Sequence, residues 1–364
     1  MRTDKARLRT YHWLYSLEPP ALAVASLALA FWLKFTILLW VVPFFIFVVL
    51  PIMDYRSKSD RWNPDRVAEE LKPLRSFFQW IVRSYMILQW IANILAVTCF
   101  ITMPHTLLNV AGLIMSIGII NGIAIAPAHE LNHTHSKVNR FFSVLIVAPA
   151  FYGQFLVEHN RGHHARVATP EDPASARFGE SFWAFAVRSV TMGLASACRF
   201  EIDRITRKPS LKKVLNSRLL QGWLCSAIIA GAVYAVGGLS TLLFFCAQAV
   251  VAILLLEVVN YIEHYGLLRR KVNGQYEPCT HQHSWNSNKL VTNIGLFNLQ
   301  RHSDHHANAM RPYEMLRHFE DSPQHPTGYA AMIVLALIPP LWFRVMNQRV
   351  LDHYGGDINK VNKK

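Results

Sequence analysis

The sequence predicts an all-α integral membrane protein, in which six membrane-spanning helices pair as three hairpins below a cytoplasmic helical cap. Hydrophobic residues make up 52% of the 364 residues and charged residues only 16%, whereas soluble domains carry about 25% charged residues. The apolar residues form blocks long enough to cross a bilayer. The polar stretches between the hairpins are rich in Lys and Arg, which is typical of cytoplasmic loops.

The apolar blocks are separated by short turns, which is why they are predicted to pair. Lys34 separates the first two blocks, Pro104-His105 the next two, and Gly237-Gly238 the last two. The first block is short for a span, because spanning takes roughly 17–25 residues. We expect the whole chain, 1–364, to form a single membrane domain with both termini in the cytoplasm. The predicted spans are residues 20–34, 35–53, 84–103, 106–126, 219–236 and 239–262.

Two long polar segments, 127–218 and 263–328, follow the fourth and sixth spans and are the predicted cytoplasmic catalytic segments. Residues 141–157 are apolar but short, and we expect a buried or half-inserted helix there. Residues 329–343 contain Pro339-Pro340 and suit an interfacial helix. The net charge of +14 fits cytoplasmic loops, and it also fits a docking face for an acidic partner or anionic lipid.

Cysteine spacing excludes an internal electron-transfer centre of the rubredoxin or iron–sulfur type. The five cysteines are far apart, and no pair has Cys-x-x-Cys spacing. Any electron carrier is therefore expected to be another chain. The five are Cys99, Cys198, Cys225, Cys246 and Cys279.

Histidines cluster at three places in the two polar segments, with a spacing that suits metal binding. The pairs His129/His133 and His159/His163 are each four residues apart, so on a helix each pair shares one face. His264 stands alone just after the sixth predicted span, and spacing alone leaves its role open. The candidate ligands are His129, His133, His159, His163, His164, His264, His302, His305 and His306.

Nine neutral imidazoles are too many for one metal ion and suit two ions with four or five nitrogen ligands each. Imidazole suits iron, copper, nickel and zinc. A nitrogen-rich pair of metal ions beside a membrane favours redox chemistry on a lipid-soluble molecule. Two other classes remain open: a zinc intramembrane protease built on the H-E-x-x-H pattern of residues 129–133, and a non-enzymatic lipid or metal transporter.

Acidic residues within or near these clusters are candidates to orient the metal-binding imidazoles. Ligating histidines usually donate their second N–H to a carboxylate or carbonyl oxygen. The alternative for each carboxylate is a helix-surface or capping role. The candidates are Glu158, Glu263, Asp304 and Asp172, with Glu130 a further possibility.

Six stretches together resemble the membrane-bound alkane monooxygenases, or alkane omega-hydroxylases, of the fatty-acid-desaturase-like integral membrane superfamily. Three histidine boxes alone would indicate only the superfamily, but NYIEHYG and LQRHSDHHA are more specific to the alkane branch. The family usually has Gly and Lys where this chain has Asn132 and Thr134. The stretches are HELNH at 129–133, EHNRGHH at 158–164, ATPEDPASARFGES at 168–181, NYIEHYGLLR at 260–269, HSWNSN at 283–288 and LQRHSDHHA at 299–307.

This resemblance implies a cytoplasmic site with two iron ions, bound by the nine histidines including His264. It also implies O2-dependent terminal hydroxylation of medium- or long-chain n-alkanes to primary alcohols. The electrons would come from rubredoxin, itself reduced by rubredoxin reductase. The expected location is the bacterial inner membrane, with lipid around the spans and no nucleic-acid partner. Two alternatives within the superfamily are methyl hydroxylation of alkyl-aromatics such as xylene or cymene, and acyl-lipid desaturation.

Overall fold

The computed structural model describes residues 10–64, 71–207 and 209–363, and the described chain is mostly helical. Its first helices are α1 Glu18–Leu33, α2 Thr36–Arg56 (with a 3-10 turn at Thr36–Trp40 and a π turn at Phe45–Val49), α3 Arg75–Thr102, α4 Leu107–Ile123, α5 Ile125–Asn132, α6 Lys137–Val147, α7 Phe155–Glu158, a π segment His159–His163, and α8 His164–Arg166.

The second half continues with α9 Phe182–Thr206, α10 Leu211–Leu215, α11 Arg218–His264, α12 Leu290–Gly295, α13 His302–Ala307, α14 Tyr329–Ala336 and α15 Pro339–His353. A two-stranded antiparallel hairpin, β1 Lys271–Val272 and β2 Gln275–Tyr276, pairs Lys271 with Tyr276. Short 3-10 turns lie at Trp13–Leu17, Lys72–Leu74, Ala148–Ala150, Tyr313–Met315 and Ile358–Lys360.

Within the described residues, 5 helices are long and apolar enough to cross a membrane. The predicted spans 20–34, 35–53, 84–103 and 106–126 each lie within one of the first four except for one residue at an end. The predicted spans 219–236 and 239–262 both lie within α11. Large apolar side chains such as Trp32 and Leu107 are exposed on these helices, as a lipid-facing surface requires. The candidate spans are Thr10–Leu33, Thr36–Arg56, Lys72–Thr102, Leu107–Asn132 and Arg218–His264.

Helix α11 is interrupted at Gly238, whose φ of 70° and ψ of −163° are not helical. Both sides of this break contact the same short segment. Ser226 Oγ donates to Ala148 O at 3.0 Å, and Gln248 Nε2 donates to Pro149 O at 2.8 Å. In an uninterrupted helix, residues 226 and 248 would lie about 33 Å apart. The chain therefore folds back at Gly238, where glycine tolerates a positive φ.

A buried amide network joins three of the long helices inside the apolar bundle. Gln89 on α3 donates to Asn121 Oδ1 on α4 at 2.9 Å, and Asn121 donates to Gln248 Oε1 on α11 at 2.7 Å. Buried amides without water must pair within the protein. Because Gln248 also binds Pro149 O, this network fixes the segment that leads into the second histidine cluster.

Two apolar segments outside the long helices are more broken than a single helix. In the region 141–157, α6 ends at Val147, and Phe151 takes a left-handed conformation with φ 55°. The chain turns there and α7 begins at Phe155. The region 329–343 is divided into α14 and α15, since Pro339 occupies the first turn of α15, where proline is favoured.

Serine and threonine side chains determine where several helices begin. Each accepts a hydrogen bond from the backbone N–H three residues later, which satisfies a donor that the first helical turn leaves free. The capping residues are Thr106 for α4, Ser136 for α6, Ser181 for α9, Ser210 for α10 and Ser217 for α11.

Candidate metal centre

The fold brings all nine predicted histidines together in two neighbouring groups. In each group the nitrogen atoms that could bind a metal all lie within 4.8 Å of one another. The five-histidine group contains His129, His133, His159, His164 and His305; the four-histidine group contains His163, His264, His302 and His306.

Four separate parts of the chain supply these side chains. The end of α5 gives His129, and His133 follows it. The π segment and the first residue of α8 give His159, His163 and His164, α11 ends at His264, and α13 gives the remaining three. His264 is fully buried at the end of α11. The fold therefore places this histidine, which stands alone in the sequence, beside the others in space.

The π segment divides the second histidine cluster between the two groups. A π turn closes between residues i and i+5, so His159 and His164 lie on the same side and their Nε2 atoms are 3.0 Å apart. His163 points the other way, and its Nε2 lies 3.2 Å from that of His306. The α-helical spacing had paired His159 with His163, and the π turn pairs it with His164 instead.

Helix α13 divides the third cluster in the same manner, but with ordinary α-helical spacing. His302 and His306 are one turn apart, and their Nε2 atoms are 2.9 Å apart in the four-histidine group. His305 lies on another side of the helix and joins the five-histidine group, 3.1 Å from His164 Nε2. Two helical segments thus each contribute to both groups, which holds the groups side by side.

The nitrogen atoms converge in a way that hydrogen bonding does not explain. His159 Nε2 lies 3.1 Å from His133 Nε2 and 3.0 Å from His164 Nε2. A neutral imidazole nitrogen has either one hydrogen or one lone pair, so it cannot bond well to both. Two nitrogens bound to one metal at about 2.1 Å and a right angle lie about 3 Å apart. His129 Nε2 is buried without a hydrogen-bond partner among the described residues, and a metal ion would satisfy it.

Burial keeps these imidazoles in the form that binds metals. Burial, followed by repulsion from His163 and Arg218, lowers the pKa of His133 to about 3. Burial, followed by neighbouring histidines, also lowers the pKa of His159, His164, His302, His305 and His306 well below its usual value. Neutral imidazole has the free lone pair that coordination requires.

Asp172 is placed where a carboxylate orients a metal-binding histidine. Its Oδ2 lies 2.8 Å from His163 Nδ1 and accepts from Ser175 Oγ at 2.7 Å. Burial alone would raise the pKa of Asp172, but the interaction with His163 holds it below its usual value. With the Nδ1 proton of His163 held by Asp172, Nε2 faces the four-histidine group.

Glu263 also contacts a histidine, but on the side of the ring that faces the candidate metal position. Its Oε2 lies 3.1 Å from His302 Nε2, the same nitrogen that is 3.2 Å from His264 Nε2. His302 Nδ1 is buried and has no hydrogen-bond partner in the part of the chain that the structure describes. Glu263 is therefore positioned beside the candidate metal position and not behind the ring.

The structure brings the other two predicted carboxylates to arginines. Glu158 Oε1 accepts from Arg166 Nη2 at 2.5 Å, and Asp304 Oδ2 accepts from Arg311 Nη1 at 2.6 Å. Asp304 also accepts from the backbone N–H of Arg317 at 2.8 Å. These ion pairs brace the histidine-bearing helices from outside. Gly162 leaves room for the Glu158–Arg166 pair, since an added Cβ there would meet both side chains.

One buried acidic residue near the centre was missed by sequence reasoning. Glu257 Oε1 accepts a hydrogen bond from Tyr152 OH at 2.7 Å, and both line a small cavity with His159 and His163. The available signal was a single acidic residue within the apolar run of residues 249–259, because such a residue in a membrane helix usually has a specific role.

An apolar cavity lies near the histidines, between four candidate spans and the segments that cover them. Ala126 and Leu299, three residues before His129 and His302, are part of its wall. The lining residues are Pro19, Ile46, Leu50, Gly122, Ile123, Ala126, Leu255, Leu256, Val259, Thr292, Gly295, Leu296, Leu299, Ala330 and Ile333. Thr292 is the one polar side chain among these described residues.

The chain is similar to known oxygenases over most of its length. The fatty acid desaturase family model matches residues 104–336. The alkane 1-monooxygenase of Acinetobacter baylyi is 42% identical over 323 residues, covering 88% of this chain and 79% of its own. Alkane 1-monooxygenase 2 of Alcanivorax borkumensis is 41% identical over 326 residues, covering 88% of this chain and 85% of its own.

A relative with a different substrate in its name is more distant. The xylene/toluene monooxygenase hydroxylase component of Pseudomonas putida is 28% identical over 243 residues, covering 66% of this chain and 64% of its own. The alkane 1-monooxygenases match at higher identity and over more of the chain. The chain therefore belongs to the fatty acid desaturase family and, within it, to the alkane 1-monooxygenases.

Proposed function

We propose that this enzyme hydroxylates the terminal methyl group of medium- or long-chain n-alkanes to a primary alcohol at a di-iron centre. The observation that carries the proposal is the pair of buried imidazole groups, five and four histidines, near an apolar cavity. The relatives named alkane 1-monooxygenase support the substrate class.

The chain's own residues bind, orient and exclude water. The two histidine groups would each hold one ion, and Asp172 fixes the Nδ1 proton of His163. Two iron ions bound there would supply the redox chemistry that activates O2, with one oxygen atom entering the product and the other leaving as water. Apart from Thr292, the described wall of the cavity is apolar, so chain shape and cavity shape determine which carbon is presented.

The electrons are proposed to come from a separate rubredoxin, reduced by rubredoxin reductase. The free cysteines Cys99, Cys198, Cys225, Cys246 and Cys279 lie in different parts of the fold, and a rubredoxin-type iron site needs four clustered thiolates. The positive charge of the chain would favour an acidic donor.

The proposed membrane arrangement has six spans in three hairpins in the bacterial inner membrane, with the histidine centre on the cytoplasmic side. The fold-back of α11 at Gly238 supports counting that helix as two spans. The basic residues around the histidine-bearing segments support the cytoplasmic side. All of the chain, 1–364, belongs to this one membrane domain in the proposal.

The test combines metal analysis with product analysis on the purified full-length protein. With rubredoxin and its reductase, we expect about two iron ions per chain and primary alcohols from octane and hexadecane. His305→Ala should lose iron and turnover, whereas His135→Ala should keep both, because His135 is exposed and belongs to neither group.

Other outcomes identify the competing functions. Oxidation of p-cymene with no alkane product would favour an alkyl-aromatic methyl hydroxylase, the activity class that the xylene/toluene relative represents. Unsaturated acyl products would favour a desaturase. About one zinc and no iron per chain would favour the H-E-x-x-H protease, and full function after His305→Ala would favour a transporter.

A further inference from the structure

A second, larger cavity lies on another side of the histidine segment, and six of its sixteen lining residues are cationic. Its volume is about 880 Å³. Three separate parts of the chain form its wall: α6, the α7–π segment, and the stretch from the end of α9 to the start of α11. Its basic lining residues are Lys137, Arg140, Arg161, Arg204, Lys212 and Arg218.

Within the described part of the chain, acidic side chains do not balance the positive charges in this cavity. Among the described residues, Glu201 is the one acidic side chain in the lining. It pairs with Arg161 at 3.6 Å and with Arg204 at 2.7 Å. Arg218 instead donates to Asn132 Oδ1, a neutral acceptor. Several like charges converging in a partly enclosed space repel each other and favour a bound anion.

The same cavity has an apolar side that continues along candidate spanning helices. Phe141 and Val144 on α6 face it, together with Leu224 and Cys225 on α11. Arg218 is the first residue of α11, so the cations lie at the end of this membrane helix and the apolar residues lie one to two turns further along it. An anionic head with hydrocarbon chains has the same two-part character.

We propose that this cavity binds an anionic phospholipid, with the phosphate among Arg140, Arg161 and Lys212 and the acyl chains along Phe141 and Leu224. A concave site with an apolar wall suits a lipid better than the convex surface of an acidic protein. The inference does not depend on the proposed reaction, because lipid binding is measured without turnover.

A bound lipid would pack directly behind the second histidine cluster. Leu156, Val157 and Asn160 line the cavity, and Asn160 is next to His159 in the π segment. Asn132 Nδ2 donates to Asn160 Oδ1 at 2.7 Å, which joins this wall to the end of α5. Filling the cavity therefore stabilises the two segments that supply most of the five-histidine group.

The test uses the full-length protein in mild detergent, with phosphatidylglycerol as the probe. Native mass spectrometry and thermal unfolding are measured with phosphatidylglycerol, phosphatidylcholine or inorganic phosphate added. We expect phosphatidylglycerol to be retained and to raise the unfolding midpoint more than the other two. It should also slow maleimide labelling of Cys225, which lines the cavity; peptide mapping separates Cys225 from the other cysteines.

A charge-matched pair of variants distinguishes this site from general attraction to a basic protein. Arg140→Gln/Lys212→Gln should weaken phosphatidylglycerol binding on the order of tenfold, since each cation near a membrane surface contributes to anionic lipid binding. Arg199→Gln/Arg207→Gln removes the same charge from two exposed positions, one on α9 and one directly after it, and should leave binding unchanged.

Three results would overturn the proposal. Equal loss of binding in both double variants would mean non-specific attraction. An equal midpoint shift with inorganic phosphate would mean a phosphate site without lipid specificity. Displacement of phosphatidylglycerol by a purified acidic rubredoxin, with protection of Cys225 by that protein, would mean a protein-docking surface.

Discussion

At the scale of single residues, Asp172 is the clearest link between sequence and metal chemistry. Its carboxylate holds His163 Nδ1 at 2.8 Å. Asp172→Asn keeps the size but removes the negative charge, so we expect a 10- to 100-fold loss of metal affinity or activity. Iron content and alkane turnover measure the effect. Asp203→Asn, an exposed change on α9, is the control; normal iron and turnover in Asp172→Asn would show that His163 needs no carboxylate.

His325 gives a residue-scale prediction about pH that does not involve a metal ligand. Its ring packs among Trp285, Tyr329 and Trp342. Burial, together with a smaller effect of the charge on Arg349, lowers the pKa of His325 to about 3. The unfolded chain binds a proton below about pH 6.5 that the folded chain excludes, so acidification through that value removes stability.

The measurement compares unfolding free energies at pH 7 and pH 5 for the wild type and for His325→Phe. Phenylalanine cannot be protonated, so the wild type should lose about 2 kcal/mol more than the variant over this interval. His135→Phe, at an exposed position, should behave as the wild type does. Parallel pH curves for the wild type and His325→Phe would mean that the buried ring does not control acid stability.

Residue spacing singled out eight of the nine histidines that converge in the fold, because each cluster is local in the chain. It left His264 open, and the family resemblance supplied that residue; metal binding by the nine stays a prediction. Spacing predicted Asp172 from its place near the second cluster, although its partner is nine residues away. Spacing could not reveal that Glu158 pairs with Arg166 and that Asp304 pairs with Arg311. Packing decides which of several possible partners a carboxylate contacts. Likewise, nothing in the spacing pairs Glu257 with Tyr152, which is 105 positions distant.

At the scale of elements, the π segment is what divides one histidine cluster between two groups. A π turn contains one more residue than an α turn. Inserting one alanine after Arg161 should place His163 five residues after His159, which is the spacing that now pairs His164 with His159, and so bring His163 to the side of His159. We then expect metal to be lost from the four-histidine group, with about one iron or less retained per chain.

Arg161→Ala is the control for this insertion, because it keeps the length of the segment and removes only the guanidinium, which pairs with Glu201 and lines the basic cavity. It should retain iron. Circular dichroism should show unchanged helical content in both variants, so that loss of metal is not confused with unfolding. Full iron content in the insertion variant would mean that the π turn does not determine which group each histidine joins.

Element boundaries were predictable where composition changes sharply and less so where packing decides. The long apolar helices follow from hydropathy, and Gly237-Gly238 marks the fold-back of α11 at Gly238. The break between α6 and α7 was not predicted, because the predominantly apolar residues 141–157 suggested one short helix. It depends on the left-handed Phe151 and on Gln248 and Ser226 binding the turn, which are contacts from distant parts of the chain.

At the scale of the whole molecule, the apolar cavity should determine the length of alkane accepted. Val259 lines it and is nearly buried, five residues before His264. Val259→Phe fills part of this space, so hexadecane should lose at least about tenfold more turnover than octane. Val250→Phe is the control, because Val250 is exposed on the same helix. An unchanged octane-to-hexadecane ratio with normal iron would place the substrate elsewhere.

The number of spans is a whole-molecule property that the fold-back of α11 makes testable. If α11 crosses the membrane twice, Gly238 lies on the periplasmic side, opposite the histidine segments. A cysteine at position 238, in a background lacking the native cysteines, should react in intact cells with a membrane-impermeant maleimide. A cysteine at exposed Arg207 should react only after permeabilisation. If both positions need permeabilisation, α11 does not cross twice, and the six-span arrangement is replaced by one in which the fold-back stays on the side of the histidines.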